Sequence, residues 1–102
     1  MALLHIINQS PFGSDAVQAC LKRLQNDATV LLIEDAVYAA RAPSPVAERL
    51  QAALASNACY ALSADLMARG LQQRQLIAGI SVVDYAGFVD LVTAHDKAVS
   101  WT

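Results

Sequence analysis

The thiol of Cys20 is the side chain with the most evident covalent chemistry near a candidate site. It lies on a predicted helix that follows the apolar run at residues 3–7 and a turn-rich loop at residues 8–13. Sites in open parallel α/β sheets form at the carboxyl ends of strands, where this loop falls. With Val17 as the centre of the apolar stripe, about 100° per residue places Cys20 about 60° away, at the rim. We expect either a thiol at a subunit seam, its thiolate favoured by Arg23, or a small apolar filler.

The other cysteine and the two histidines have simpler interpretations. Cys59 lies in the middle of an apolar run, which is typical of a core residue. His5 sits between aliphatic residues, which favours a hydrogen-bonded interior histidine over a general base. His95 ends the last predicted helix, where a cation complements the helix dipole. These four residues lack the close paired spacing of zinc ligands, so we expect no metal site.

Three carboxylates, Glu34, Asp35 and Asp84, each follow a predicted strand. Helix capping accounts for Asp35 and Asp84. The loop at residues 10–14 faintly suggests a phosphate cradle, but the chain has no Gly-x-Gly-x-x-Gly pattern and no P-loop lysine. We therefore expect neither a nucleotide nor a flavin cofactor.

Strands and helices alternate along the whole sequence. Strands are predicted at residues 2–8, 29–33, 58–62, 80–83 and 98–101. Helices are predicted after caps at Ser14 (alternatively Ser10), Ser44, Ser63 and Asp84, with a short helix at 35–41, a left-handed stop at Gly70 and a loop at 71–79. This pattern indicates one α/β domain over residues 1–102, a three-layer α/β/α structure with a five-stranded parallel sheet. The order of the strands cannot be read from it.

The composition indicates a chain that is covered by partners. Apolar residues make up 56% of the sequence and charged residues 16%, against about 25% charged in an ordinary soluble domain. Size scaling gives a monomer of this mass about 5,600 Å² of accessible surface, which these few charges cannot cover. We therefore expect apolar surface at a subunit interface.

Charge and hydropathy exclude several classes of function. A net charge of −2 and the lack of a basic run argue against direct nucleic-acid binding. The given amino-terminal residues lack the positively charged region and long apolar stretch of a secretory signal, and no run approaches the ~20 apolar residues of a membrane span. We expect a cytoplasmic protein without a membrane partner, in which both cysteines are free thiols.

Several segments of the sequence carry a resemblance to a known family: LH at 4–5, NQSPF at 8–12, LLIEDAVYAA at 31–40, YAL at 60–62, DLMARGL at 65–71, DY at 84–85, FV at 88–89, Leu91 and Trp101. Together they resemble the DsrH/TusB family of sulfur-relay proteins. The resemblance implies the DsrEFH fold and a cytoplasmic α2β2γ2 heterohexamer with DsrE- and DsrF-like chains. Such complexes carry sulfur as a cysteine persulfide and pass it to a DsrC/TusE-like acceptor protein, which needs no metal or other cofactor.

The resemblance also bears on the role of Cys20. TusB-like members, which serve tRNA 2-thiouridine synthesis, generally lack a cysteine at this position, whereas DsrH-like members of sulfur-oxidising bacteria have it. The sequence thus favours a DsrH-like sulfurtransferase subunit in oxidative sulfur metabolism, with Cys20 as candidate persulfide or thiol-transfer residue. The family's principal sulfur-carrying cysteine belongs to the DsrE- or TusD-like partner, however. A TusB-like relay subunit, a non-catalytic scaffold and a lone flavodoxin-like binder are the alternatives.

Overall fold

A parallel five-stranded sheet forms the centre of the molecule in the computed structural model, which describes residues 3–102. The strands are β1 (Leu3–Ile7), β2 (Thr29–Leu32), β3 (Ala58–Leu62), β4 (Ser81–Val83) and β5 (Lys97–Trp101). Their order across the sheet is β4-β3-β2-β1-β5, and every pairing is parallel. The predicted α/β class and five parallel strands are confirmed. Residue 2, with which the first strand was predicted to begin, lies outside the described residues.

Four α-helices connect these strands. They are α1 (Ala16–Lys22), α2 (Ala47–Ala53), α3 (Ser63–Ala68) and α4 (Tyr85–Ala94), with 3₁₀ segments at Glu34–Ala40 and Gln73–Gln75. The first three crossovers step across the sheet in one direction and the last steps back from β4 to β5. Because such crossovers are right-handed, α1 to α3 cover one face and α4 covers the other, which gives the three layers predicted. Within residues 3–102, no helix has the length and apolar composition that a membrane span requires.

Strands β1 and β2, which are apolar apart from His5 and Thr29, are buried on both faces. His5 and Val30 lie opposite each other on the face that carries α1, and both are buried. Leu4 and Leu31 point to the opposite face and are also fully buried. Strands covered on both sides need continuous apolar sequences, so this placement follows from the pattern at residues 3–7 and 29–32.

Helix α4 is the sole α-helix among the described residues that covers the second face, and its packing there is thin. None of its residues is fully buried. The ring of His95, just beyond its end, places Nε2 2.8 Å from the Thr29 hydroxyl and Nδ1 2.6 Å from the Leu91 carbonyl oxygen. His95 therefore ties the end of α4 to the sheet, a role beyond the dipole effect predicted from the sequence.

Three of the predicted serine caps are wrong. Ser14 and Ser44 each accept a hydrogen bond from the amide two residues on, at Ala16 and Val46. Such local turns compete with capping and delay the helix start. Ser63 is the first residue of α3 rather than its cap. The N-caps of α1, α2 and α3 are Asp15, Val46 and Leu62, without a side-chain capping bond.

The other predicted helix boundaries agree more closely with the structure, although one predicted helix is of the 3₁₀ type. The helix predicted at 35–41 is the 3₁₀ segment Glu34–Ala40. Gly70 ends α3 with φ +68°, which confirms the predicted left-handed stop. Asp84 caps α4 as predicted, since its Oδ1 accepts a hydrogen bond from the Gly87 amide at 2.8 Å.

Candidate functional site

Cys20 lies in the core and not at the rim of α1. Its exposed fraction is 0%, and it belongs to the cluster of buried side chains between α1 and the sheet. The buried residues of α1 are Ala16, Val17, Cys20 and Leu21. Their mean direction lies only about 30° from Cys20 at about 100° per residue. Taking Val17 as the centre was wrong because it left the buried Ala16 out of the stripe.

Burial governs the chemistry of both cysteines. Desolvation raises the pKa of Cys20 from its ordinary 9.0 to about 12. Arg23 does not offset this, because its guanidinium donates to the Ala19 carbonyl oxygen at 3.2 Å and its side chain is exposed. The expected activation of the thiolate by Arg23 is therefore wrong. Cys59, 3% exposed, is the core residue predicted, and burial together with the nearby Cys20 raises its pKa to about 12.

His5 is the hydrogen-bonded interior histidine predicted. The indole Nε1–H of Trp101 on β5 donates to His5 Nδ1 at 3.0 Å, and the two ring centroids are 6.0 Å apart. Because Nδ1 accepts this bond, the neutral ring carries its proton on Nε2. Burial lowers the pKa of His5 below its usual 6.5, which also favours the neutral form.

At the carboxyl end of β2 and β3, four charged residues form a connected group that we call the edge clamp: Glu34, Asp35, Asp65 and Arg69. Arg69 places Nε and Nη2 each 2.9 Å from Asp35 Oδ1. Its Nη1 lies 3.5 Å from Asp65 Oδ1. The second oxygen of Asp65 accepts the Glu34 amide hydrogen at 2.7 Å. The edge clamp thus fastens the start of the 3₁₀ segment to α3.

The edge clamp explains a strained backbone position and corrects one prediction. Glu34 has φ +50°, a conformation that non-glycine residues seldom adopt. The bond from its amide to Asp65 holds it there. The sequence had suggested that Asp35 caps a helix. In the structure it does not, and its carboxylate is paired with Arg69. The edge clamp joins the EDAVYAA and DLMARG segments of the sequence. Their spacing along the chain does not reveal that the two segments are in contact.

The loop after β1 is held by local bonds and contains one unsatisfied group. The Ser10 hydroxyl accepts the Phe12 amide hydrogen at 3.1 Å. Asn8 Oδ1 is buried without a hydrogen-bond partner among the described residues. Within residues 3–102, no three of His, Cys, Asp and Glu lie close enough together to hold a metal ion.

The fold defines the class of protein to which this chain is similar. Over 99% of both chains it superposes on the ychN protein from E. coli with a TM-score of 0.87 at 19% identity. It superposes on protein MTH1491 from Methanobacterium thermoautotrophicum, over 97% of this chain and 96% of that one, with a TM-score of 0.76 at 15% identity. At such identities the likeness shows the shared α/β fold alone.

Sequence comparison then gives the family. The model of the family described as "DsrH like protein" matches residues 9–98. "Protein TusB" from Shigella flexneri is 35% identical over 99 residues, 97% of this chain and 100% of the relative. "Protein TusB" from Pectobacterium parmentieri is 29% identical with the same coverage. The chain therefore belongs to the DsrH/TusB family of sulfur-relay subunits, as its motifs suggested.

Proposed function

We propose that this chain is a positioning subunit of a cytoplasmic sulfur relay whose reactive sulfur is carried by a partner chain. It assembles with DsrE- and DsrF-like (TusD- and TusC-like) chains in an α2β2γ2 heterohexamer. The observation that carries the proposal is the burial of both thiols, Cys20 and Cys59, each with a pKa of about 12. A thiol that is both protonated and inaccessible is a poor nucleophile at neutral pH.

The chemistry of the relay places two demands on any cysteine that takes part. The thiolate of an acceptor attacks the outer sulfur of a donor persulfide, the sulfur–sulfur bond breaks, and the donor leaves as a thiolate. The acceptor thereby becomes the persulfide, and no external oxidant or reductant is consumed. Each participant must reach its partner, the acceptor must be ionised to attack, and the donor must have a pKa low enough to leave as a thiolate. The partner chain and a DsrC/TusE-like acceptor are therefore better suited than Cys20.

For the pathway, we favour a relay that serves tRNA 2-thiouridine synthesis. Its support is the similarity to proteins named TusB over nearly the whole chain. In the sequence, the presence of Cys20 favoured a DsrH-like subunit. Its burial weakens that argument, because a buried cysteine behaves as a small hydrophobe and not as a reactive group.

The second candidate is persulfide transfer in oxidative sulfur metabolism, with Cys20 as an auxiliary carrier. It is favoured by the presence of the cysteine on α1, the helix that follows the site loop of β1. It requires that α1 move enough in the assembled complex to expose the thiol, because the core packs around it here.

One experiment distinguishes the two candidate functions by testing whether Cys20 carries sulfur. The three chains are co-expressed, loaded with a persulfide donor, and mixed with the acceptor, with mass spectrometry locating the added sulfur. We expect sulfur on the DsrE- or TusD-like chain, none on Cys20, and unchanged transfer by Cys20→Ala. Cys59→Ala is the matched control for loss of a buried thiol. Added sulfur on Cys20 together with transfer abolished by Cys20→Ala alone would establish the second candidate.

The pathway is tested in the source organism by deleting the gene for this chain. The tRNA relay predicts a loss of 2-thiouridine from digested tRNA, measured by mass spectrometry, which both wild type and Cys20→Ala restore. Unchanged 2-thiouridine with impaired oxidation of reduced sulfur compounds would instead favour the oxidative pathway.

A further inference from the structure

Helix α4 carries more apolar surface than its contact with the sheet uses. Phe88 and Leu91 are half-buried towards the sheet. Tyr85, Val89 and Val92, which we call the α4 stripe, are 73%, 46% and 39% exposed. At about 100° per residue the two sets span one apolar arc of about 160°, where about 100° suffices for a single buried face. The α4 stripe, about 60° of this arc, is therefore left uncovered in this chain.

The α4 stripe is a formed surface and not a set of scattered side chains. Its residues recur at intervals of four and three, so they line one side of the helix over about 10 Å. The ring of Tyr85 lies against that of Phe88, with centroids 5.8 Å apart, which joins the stripe to the inward face. Near the helix start, Gly87 lies so close to β4 that an added Cβ would meet Val83 Cβ at 3.0 Å. The start of the helix therefore packs closely against the end of β4, with the stripe outward.

Charge decides what can cover this surface. Residues 84–96 contain three aspartates, Asp84, Asp90 and Asp96, and no lysine or arginine, so the segment carries a charge of −3 with His95 neutral. Within residues 3–102, none of these three carboxylates has an ion-pair partner. Two copies of the chain packed through this helix would bring six carboxylates together, and like charges across an interface cost affinity. The surface therefore suits a different chain with cations around an apolar centre.

We propose that the α4 stripe is the docking surface for a partner subunit of the relay, which presents an apolar strip flanked by lysine or arginine side chains. The partner covers Tyr85, Val89 and Val92, and the net negative charge of residues 84–96 attracts its lysine and arginine side chains. This inference rests on the proposed function, because it takes the partner from the same complex. To the proposed function, this inference adds which surface of the chain binds the partner and which charge the partner carries there. It also excludes a second copy of this chain as the occupant.

The test uses co-expressed chains and a matched pair of variants. Val89→Glu places a charge in the middle of the stripe and should weaken binding to the partner chains at least about tenfold, measured by titration and native mass spectrometry. Met67→Glu makes the same change at a 78% exposed apolar residue on α3 and should alter binding less than about twofold. Circular dichroism and thermal unfolding of each variant establish that it folds. Asp90→Lys should also weaken binding and should reduce its dependence on salt.

Three outcomes would overturn the inference. An unchanged complex with folded Val89→Glu would refute the docking surface and leave the proposed function standing. A dimer of the wild-type chain alone that Val89→Glu dissociates would assign the stripe to a second copy. No complex at all between wild-type chains would contradict the proposed function and the inference together.

Discussion

The protection of Cys20 in the folded chain can be worked out in numbers. A pKa of about 12 in place of 9.0 lowers the thiolate fraction at pH 8 from about 10⁻¹ to about 10⁻⁴. Alkylation requires the thiolate, so ionisation alone should slow it by about 10³. Since the side chain is also 0% exposed, the reagent can alternatively reach it only when the chain opens, and labelling by that route is slowed by how seldom the chain opens.

The assay is alkylation by iodoacetamide followed by mass spectrometry, with one thiol left in each sample. Cys59→Ala reports on Cys20, and Cys20→Ala reports on Cys59. We expect native labelling of either thiol at least 10³-fold slower than in urea at the same pH. Native labelling of Cys20 within tenfold of the unfolded rate would refute the burial argument, and with it the main support for a positioning role.

The same shift has a consequence for stability at alkaline pH. Both cysteines have a higher pKa in the folded chain than in the unfolded one, so the stability that their neutral forms contribute is complete below pH 9. It is lost as the pH rises from 9 towards 12, at up to about 1.4 kcal/mol per pH unit for each thiol. The Cys20→Ala/Cys59→Ala double variant should show a flatter profile in urea titrations. An equal dependence of stability on pH in the wild type and the double variant would contradict the attribution of this loss to the two cysteines.

Three further predictions concern the edge clamp, the core and His5. Asp65→Ala removes the acceptor for the Glu34 amide and should cost about 1–2 kcal/mol in urea unfolding, against less than about 0.5 kcal/mol for exposed Asp90→Ala. Leu50→Ala empties a fully buried site on α2 and should cost about 2–5 kcal/mol in the same assay. Because burial lowers the pKa of His5, its contribution is complete above pH 6.5 and lost on acidification below that. His5→Gln should therefore lose less stability between pH 7 and 5 than wild type.

The strands were predictable because their sequence pattern is set by burial on both faces. The runs at residues 29–33 and 58–62 contain almost no polar residue, and both became inner strands. The strand order was not predictable, because it depends on contacts between elements far apart in sequence. The pairing of β5 with β1, which joins the two ends of the chain, is the clearest case.

The site was predicted less well for a related reason. A helical wheel gives the direction of Cys20 only after the buried face is known, and the burial of Ala16 depends on the helices and strands packed around α1. The edge clamp joins residues 31 and 34 positions apart in the chain, so no local pattern could reveal it. The hydrogen bond of Trp101 to His5 spans 96 positions and was equally hidden, although an interior partner for His5 was expected.

The burial of Cys20 changes which residues can distinguish the two candidate pathways. In a packed core, replacing a cysteine by another small apolar residue alters volume and stability but no surface that a partner could recognise. Its presence or absence among relatives can therefore vary without any change in the sulfur that is carried. Specificity for one relay must instead reside where chains meet, and the docking surface proposed on α4 would be such a place. Exchanging these side chains between a DsrH-like and a TusB-like subunit should transfer partner preference, whereas exchanging Cys20 should not.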